Sequence, residues 1–406
     1  MSKWERVTIK KLADVNYGYT TKASFEKDGP QFLRITDIQN GAVDWDKVPF
    51  CEIDPIDHEK HRLKLHDIVF ARTGATTGKS YLITDPPDAV AASYLIRLRL
   101  KDARISPHFL SLYFDTAEYW EKIGAGMSGS AQGGFNASKL GNLPIPVPPL
   151  AEQERIVAVL DQAFEAIAAA TAHTQQKLHN TQEVFQSTLQ SAFSRKDECG
   201  TQNDGWVETT LDQLCSIKHG FAFKSQNFRT EGELVVLTPG NFYEEGGYRD
   251  RGDKTKYYEG DFPEDFLLSK DAFLIAMTEQ AVGLLGSSII VPEHGKFLHN
   301  QRLGLVQVKD GVEWDNHFFF HQFNTQRFRD AVQESASGAK VRHTSPKKLG
   351  AITVVVPPLA TQRTIVAKLD ALSAETRRLE SLYQRQLQAY TELKQSLLHQ
   401  AFTGEL

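Results

Sequence analysis

Two long stretches of the chain carry apolar residues at helical spacing. The first runs from 151 to about 195, contains neither proline nor glycine, and places Ile156 and Leu160 one turn apart. The second, from Ile365 to Gln400, repeats its positions in alternating steps of four and three. At a rise of 1.5 Å per residue, the first pattern predicts a helix of about 45 residues and roughly 65 Å. A seam as long as the second requires a partner helix, so we expect the two helices to pack together as a coiled coil.

The segment that opens each helix is present twice. Leu140–Asp161 and Leu349–Asp370 are identical at 13 of 22 positions without a gap. Both copies contain Pro-Pro-Leu-Ala-x-Gln at the start of the helix. Because proline lacks an N–H donor, this segment is neither a helix interior nor a central strand. A repeat of this length predicts a chain built from two equivalent halves.

The residues before the first long helix have the pattern of mixed α/β structure. Strands are predicted at Phe32–Ile38, Asp67–Arg72 and Ala91–Leu100, from β-rich or alternating apolar sequence. Ser106, followed by a proline, is predicted to be the N-cap of a helix. The glycine-rich and serine-rich stretch 124–135 predicts a loop.

The second half repeats these features in the same order. Trp206 and Gly220 stand where Trp4 and Gly18 stand in the first half, and Asp271–Thr278 resembles the strand that begins at Asp67. We predict an α+β fold in which two α/β domains alternate with two long helices, packed as an antiparallel coiled-coil spacer with pseudo-twofold symmetry. The predicted bounds are 1–146 for the first domain, 147–197 for the first helical spacer, 198–205 for a linker, 206–355 for the second domain and 356–406 for the second helical spacer.

Composition narrows the class of protein. The 406 residues exceed one ordinary core, and 41% hydrophobic with 24% charged residues is typical of a soluble globular protein. No run approaches 18 apolar residues, so no transmembrane helix is predicted. Three cysteines without metal spacing fit a reduced, cytoplasmic protein. The net charge of −5 is a weak argument against nucleic-acid binding, because local patches contact phosphates.

Three motifs resemble enzyme sites, and each departs from the pattern that its chemistry needs. Gly124–Gly129 fits G-x-G-x-x-G but follows a predicted helix instead of a strand. Gly74–Ser80 is one residue shorter than a P-loop, which favours a strand-connecting loop. Asp85–Asp88 lacks the aromatic residue with which amino methyltransferases stack a flipped base. We therefore expect no catalytic site, no bound cofactor and no metal in this chain.

Two loops at the same point of the repeat carry residues suited to DNA. The first, 128–136, leads to Lys139, and the second, 335–348, is basic and contains no acidic residue. Glycine lets the backbone approach closely, glutamine, asparagine and arginine pair with base edges, and lysine holds phosphates. The candidate DNA-binding residues are Lys22, Arg34, Arg72, Thr73, Lys79, Tyr94, Ser128, Gln132, Asn136, Lys139, Lys218, Asn241, Arg249, Arg251, Gln280, Arg302, Lys340, Arg342, His343, Lys347 and Lys348.

The repeated segment resembles a known family. Leu143–Val157, which reads Leu-Pro-Ile-Pro-Val-Pro-Pro-Leu-Ala-Glu-Gln-Glu-Arg-Ile-Val, is similar to the conserved-region motif of the specificity subunit of type I restriction–modification enzymes. Val356–Gln362 resembles the same motif, with Thr361 where the first copy has Glu152. In that family two target-recognition domains alternate with two long helical spacers, which is the layout predicted here.

The resemblance implies a non-catalytic subunit that selects the DNA sequence. Its expected partners are double-stranded DNA, two modification (methyltransferase) subunits and restriction/translocase subunits, and no membrane. S-adenosylmethionine, ATP and Mg are expected on those partner subunits. Each recognition domain would read one half of a split, asymmetric site, with half-sites roughly 10 bp apart. From the residues alone, two other classes remain open: a stand-alone NTPase or methyltransferase, and a coiled-coil scaffold that binds no DNA.

Overall fold

Contacts within the chain divide it into two units. The structure is a computed structural model that describes residues 4–39, 41–127, 134–194, 205–279, 283–338 and 341–406. The first unit comprises Met1–Gln175 and Tyr383–Leu406, and the second comprises Gln176–Leu382. Both divisions fall inside long helices, so each unit contains one end of each long helix.

The first unit is built from short strands and short helices, followed by the start of a long helix. Its strands are β1 Arg6–Thr8, β2 Ala13–Tyr17, β3 Gln31–Leu33, β4 Ile38–Gln39, β5 Ala42–Val43, β6 Ile68–Ala71, β7 Ser80–Leu82, β8 Ala89–Ala91, β9 Leu95–Leu100 and β10 Pro144–Pro146. Its helices are α1 Ile9–Leu12, α2 Pro55–His61, α3 Pro107–Tyr113, α4 Ala117–Met127, α5 Ala137–Gly141 and the first part of α6 Leu150–Ala192.

An antiparallel sheet with strand order β2-β9-β6-β7 lies at the centre of the first unit. All four residues of β6 are buried, as expected for an inner strand. The register places Tyr17 opposite Ile96, and Ala71 opposite Leu95. The ends of β2 and β6 are therefore held against the start of β9. Smaller sheets pair β3 with β8 in parallel, and β1 with β10 and β4 with β5 antiparallel.

The second unit repeats this set of elements. Its strands are β11 Val207–Thr210, β12 Cys215–His219, β13 Phe228–Arg229, β14 Val235–Leu237, β15 Tyr257–Tyr258, β16 Phe273–Ala276, β17 Thr278–Glu279, β18 Ser288–Ile290, β19 Phe297–His299, β20 Leu303–Val308, β21 Arg342–His343 and β22 Thr353–Val356. Its helices are α7 Leu211–Leu214, α8 Asn316–Phe323, α9 Gln326–Ser335, α10 Pro346–Gly350 and the first part of α11 Leu359–Thr403.

The sheets of the second unit match those of the first. The central antiparallel sheet has the order β12-β20-β16-β18, and β14 and β19 are paired in parallel. Gly18 and Gly220 show how closely the halves correspond. A Cβ on Gly18 would lie 2.2 Å from the Ala92 carbonyl oxygen, and one on Gly220 would lie 2.1 Å from that of Asn300. Only glycine fits either position, which explains why both halves have it.

The two long helices pack antiparallel within each unit. In the first unit, Arg155 near the start of α6 donates a hydrogen bond to the Leu406 carbonyl oxygen (2.8 Å). Further along α6, the Phe164 ring lies 4.7 Å from the Lys394 ammonium. In the second unit, Gln182 donates to Glu380 (2.9 Å). The 43 residues of α6 and 45 of α11 confirm the predicted helices, and the α+β class is confirmed as well.

Two of the predicted strands are not continuous over their predicted lengths. Phe32–Ile38 is a strand only to Leu33, because the Asp37 carboxylate accepts the Arg34 backbone N–H (2.8 Å) and closes a 3-10 turn over 35–37. Ala91–Leu100 is interrupted after Ala91, and its two parts, β8 and β9, belong to different sheets. Alternation is a local property and does not show which sheet a strand joins.

The predicted loop 124–135 starts too early, and its positions 128–133 lie outside the described residues. Helix α4 continues through Gly124 and Gly126 to Met127. The absence of a side chain at Gly126 makes room for the Phe135 ring, since a Cβ there would lie 2.4 Å from it. Ser106 does occupy the N-cap position of α3, but its side chain makes no capping hydrogen bond.

Helix α6 does not agree with the prediction that the chain has no transmembrane helix. By length and composition, α6 could cross a membrane, because an 18-residue window within it has a mean hydropathy of 1.2. Only 11% of that window is buried. A single such helix is weak evidence, because core helices of soluble proteins pass the same test.

Candidate nucleic-acid interface

In the first unit, three separate segments meet at Arg72, which directly follows β6. The Arg72 backbone N–H donates to the Tyr94 carbonyl oxygen (3.2 Å). The Arg72 carbonyl oxygen accepts from the Phe135 N–H (2.9 Å). The loop before β9 and the segment before α5 are thus fixed beside the end of β6. We call this arrangement of backbone hydrogen bonds the tip frame.

Side chains of the first tip frame form a stacked group. The Arg72 guanidinium lies 4.9 Å from the centre of the Tyr17 ring, a cation–π distance. The Tyr17 hydroxyl accepts a hydrogen bond from the Ala137 N–H (3.1 Å). Tyr17 and Tyr94 are 41% and 60% exposed, so both aromatic rings face solvent. Tyr17 was not among the predicted residues, although its place directly before Gly18, a glycine shared by both halves, was a usable signal.

The Arg72 side chain has no polar partner among the described residues. Its Nε is buried and makes no hydrogen bond. No carboxylate lies within ion-pair distance of it in the described parts of the chain. Buried polar groups are nearly always hydrogen-bonded, so an unpartnered group such as this Nε requires an explanation.

The second unit builds the same tip frame with other side chains. The Met277 N–H donates to the Arg302 carbonyl oxygen (3.0 Å), and the Met277 carbonyl oxygen accepts from Thr344 (2.9 Å). Met277 therefore replaces Arg72, and Arg302 replaces Tyr94. Exposed His219, the last residue of β12, stands where Tyr17 ends β2. The backbone is common to both units, whereas the side chains at its surface differ.

In both units, further residues that were predicted to bind DNA lie at helix caps. Asn136 caps α5 by accepting the Lys139 N–H (2.8 Å), and Ser345 caps α10 by accepting that of Lys348 (3.4 Å). The Lys139 ammonium donates to the Gly126 carbonyl oxygen (2.7 Å). The Asn136 side-chain oxygen is therefore occupied by a hydrogen bond within the fold. Lys348 is exposed and lies close to the tip frame of the second unit.

The loop that resembles a P-loop connects β6 to β7, as predicted. The Tyr119 hydroxyl donates to the Gly78 carbonyl oxygen (2.6 Å), and burial raises the pKa of Tyr119, which keeps it a donor. Gly78 has φ +98° and packs on Trp120, leaving no room for a side chain. Lys79 is exposed at the end of this loop, and Thr73 begins it next to Arg72.

In the folded chain, Arg342 of the second basic loop lies close to a carboxylate. Strand pairing places Arg342 opposite Glu279, and the guanidinium lies 4.0 Å from its carboxylate. Glu279 is 3% exposed and also accepts the N–H groups of Gly283 and Leu285 (3.1 and 2.8 Å). Arg342 further donates to the Gln333 carbonyl oxygen (2.7 Å). The guanidinium of Arg342 is therefore partly engaged by contacts within the fold.

The remaining predicted residues are distributed over both units. Arg34 is paired with Asp37 (3.0 and 2.7 Å), and Asn241 is 2% exposed with its oxygen accepting from Thr238 (3.0 Å), so neither is free at a surface. Lys218 and Arg249 lie over the rings of Phe266 (4.7 Å) and Tyr243 (5.9 Å), and Arg251 packs beside Gly240. Lys22, His343 and Lys347 are exposed. Ser128, Gln132, Gln280 and Lys340 lie outside the described residues.

No metal site is found in the parts of the chain that the structure describes. Among those residues, no group of three or more histidine, cysteine, aspartate or glutamate side chains could hold a metal ion. The two described cysteines, Cys51 and Cys215, are buried, and burial raises the pKa of the Cys51 and Cys215 thiols to about 11 and about 12. These thiols are thus kept protonated and unreactive.

Comparison with known proteins identifies relatives along the whole chain. Residues 1–180 and 203–388 match the family model described as type I restriction modification DNA specificity domain. The StySPI specificity subunit of Salmonella potsdam is 24% identical, over 98% of this chain and 86% of that protein. The EcoKI specificity subunit of Escherichia coli K12 is 22% identical, over 98% and 86%. The EcoBI subunit of Escherichia coli is 28% identical, over 50% of this chain and 40% of that protein.

Solved structures show the same fold. A chain from a study of complex assembly and conformational transition of the type I R-M system has a TM-score of 0.78 and 19% identity, covering 99% of this chain and 98% of that one. The HsdS subunit from Thermoanaerobacter tengcongensis has a TM-score of 0.60 and 17% identity, covering 99% and 97%.

Proposed function

Because the chain belongs to the type I restriction modification DNA specificity family, and is a DNA sequence-specificity subunit, we propose that each unit reads one half of a bipartite, asymmetric DNA site. The observation that carries this proposal is the tip frame, which both units build from the same backbone hydrogen bonds. A shared frame would present two sets of side chains to DNA in one geometry.

The different side chains on that frame support an asymmetric target. The first tip exposes Tyr17 and Tyr94 around Arg72, whereas the second exposes Arg302 beside the buried Met277. Base edges in the major groove differ in their donors and acceptors, so different side chains select different bases. Two unlike tips therefore favour two unlike half-sites.

Lysines near the tips are suited to hold the DNA backbone. Lys79 in the first unit, and Lys347 and Lys348 in the second, are exposed. Contacts to phosphates position a protein on the duplex and carry no sequence information. The predicted contacts on Lys22, Thr73, Lys139 and His343 belong to the same proposal.

Other subunits of the restriction–modification system are the proposed protein partners. We infer that two modification subunits dock on the outer faces of α6 and α11, where most of the apolar window of α6 is unburied. Those subunits would bind S-adenosylmethionine, and restriction subunits would use ATP and Mg. This chain would then act in the cytoplasm, carry out no catalysis and meet no membrane.

Methylation mapping tests the proposal directly. The full chain is co-expressed with its cognate modification subunit, and methylated adenines are mapped across the host DNA. We expect one motif with two defined parts separated by unspecified bases. The absence of any bipartite methylated motif from an active complex would overturn the proposal.

A further inference from the structure

Arg72 differs from Arg34 and Arg99 of the same unit because an aromatic ring, and not a carboxylate, holds its guanidinium. Arg34 and Arg99 are held by the carboxylates of Asp37 and Asp67, at 2.7 and 2.6 Å. Arg72 instead rests on the Tyr17 ring, with a buried Nε that lacks any partner. A planar guanidinium held on an aromatic ring loses little freedom when it binds, because its orientation is already set.

The second unit indicates which part of DNA this arginine reads. Phosphates occur at every position of a duplex, so a phosphate contact is expected from both halves of a repeated reader. The equivalent of Arg72 is Met277, which is 1% exposed and carries no charge. A residue that the two halves do not share is instead expected where the two half-sites differ, at the bases.

The chemistry of the guanidinium selects one base. Two parallel N–H donors match the O6 and N7 acceptors of guanine in the major groove, the commonest specific arginine contact. No carboxylate among the described residues competes for these donors. The neighbouring Tyr94 is exposed and could pack against the adjoining base or sugar.

We propose that Arg72 is a specificity-determining residue that recognises a guanine in the half-site read by the first unit, and that Tyr17 is its positioning residue. This inference rests on the proposed function, since it requires that the first unit reads DNA. It assigns a base contact to Arg72, which the sequence indicated only as a candidate DNA-binding residue.

Replacement by the residue of the other half provides the main test. Arg72→Met puts into the first tip the side chain that the second tip already accommodates. In the complex with modification subunits, we expect a guanine of one half-site to become unspecified in the methylation map. Discrimination at that base pair should fall by about 10-fold to 100-fold in competition binding, with the other half-site unchanged.

Three further variants separate the charge of Arg72 from the orientation of its guanidinium. Arg72→Lys keeps the charge but loses the two-pronged donor, so the guanine preference should weaken while overall affinity is largely kept. Tyr17→Phe keeps the ring and should keep the motif, whereas Tyr17→Ala should relax the same base pair as Arg72→Met. Arg104→Met is the matched control, because Arg104 is exposed and, among the described residues, its guanidinium pairs only with Asp102 (2.8 Å).

The outcomes separate the two levels of inference. A wild-type complex that yields no bipartite motif overturns the proposed function and the role of Arg72 with it. A wild-type bipartite motif that survives unchanged in Arg72→Met overturns the role of Arg72 alone. An equal loss at all sequences would show a phosphate contact and also overturn it. Thermal melting of each variant excludes unfolding as the cause of a lost guanine.

Discussion

The side-chain oxygen of Gln153 accepts a hydrogen bond from the Ser106 backbone N–H at 2.8 Å. The amide nitrogen of the same glutamine donates to the carbonyl oxygens of Arg104 (2.7 Å) and Pro148 (2.8 Å), and the residue is fully buried. Gln153 therefore joins the start of the long helix α6 to the first turn of α3 in the recognition unit. This role explains why glutamine belongs to the repeated motif.

The second copy of the motif makes the same three bonds. Gln362 accepts from the Asp315 N–H (3.0 Å) and donates to the carbonyl oxygens of Glu313 (3.1 Å) and Pro357 (3.0 Å). Each recognition unit is thus attached to its helix by one buried amide. The proline segment and the glutamine act together, because the prolines end the preceding strand and the glutamine fixes where the helix leaves.

Replacement of Gln153 is expected to destabilise the first unit. Gln153→Leu would leave one N–H and two carbonyl groups without their partner. We expect the free energy of unfolding to fall by about 3 kcal/mol or more, since three groups lose their partner and each unpaired buried group costs about 1–3 kcal/mol. Hydrogen exchange of the peptide 105–113 measures the effect. Gln162→Leu, at an exposed position of the same helix, should leave exchange unchanged, and equal effects of both variants would contradict the assigned role.

Each unit's core is completed by the end of a long helix. Phe402 of α11 lies 4.7 Å from Phe109 in the first unit, and Phe193, just after α6, lies 5.0 Å from Phe318 in the second (ring centroids). Phe402→Ala should destabilise the first unit, and Phe193→Ala the second, by about 3–5 kcal/mol each. Limited proteolysis with peptide mapping locates the unit that opens. Val184→Ala, at an exposed site, serves as control, and opening of the wrong unit would refute the prediction.

One carboxylate makes the first unit sensitive to acid. Burial alone would raise the pKa of Glu118, but hydrogen bonds from Arg6 and Lys122 lower it from 4.5 to about 2. Because the folded pKa is the lower one, this carboxylate stabilises the fold above about pH 4.5 and loses that effect as the pH falls towards 2. Glu118→Gln should therefore flatten the decrease in melting temperature over this range. Glu121→Gln on the same helix should keep the wild-type slope, and an unaltered slope in Glu118→Gln would count against the argument.

The length of the helices is expected to set the spacing of the half-sites. Four residues inserted after Gln175 in α6 and after Leu382 in α11 add about 6 Å, which corresponds to roughly two base pairs. We expect methylation mapping to show a longer unspecified spacer and unchanged half-sites. The same four residues inserted after exposed His294 should leave the spacer as it is. Altered half-site bases with an unaltered spacer would show that the helices do not measure the distance.

The sequence by itself determined the repeat, the two long helices and the point where each begins. Helical periodicity and the effect of proline act between neighbouring residues, so they can be read without the fold. The lengths of α6 and α11 agree with this expectation. The doubled proline–glutamine motif also identified the family before any contact was known.

Only the tertiary structure decided which predicted residues share a surface. Arg72, Tyr17, Tyr94 and Phe135 come from four distant segments, and hydrogen bonds between those segments bring them together. The same pairing placed Glu279 opposite Arg342 and buried Asn241, which sequence alone treated as available for DNA. Partners across a sheet are set by register and by non-local packing, and a pattern along the chain contains neither.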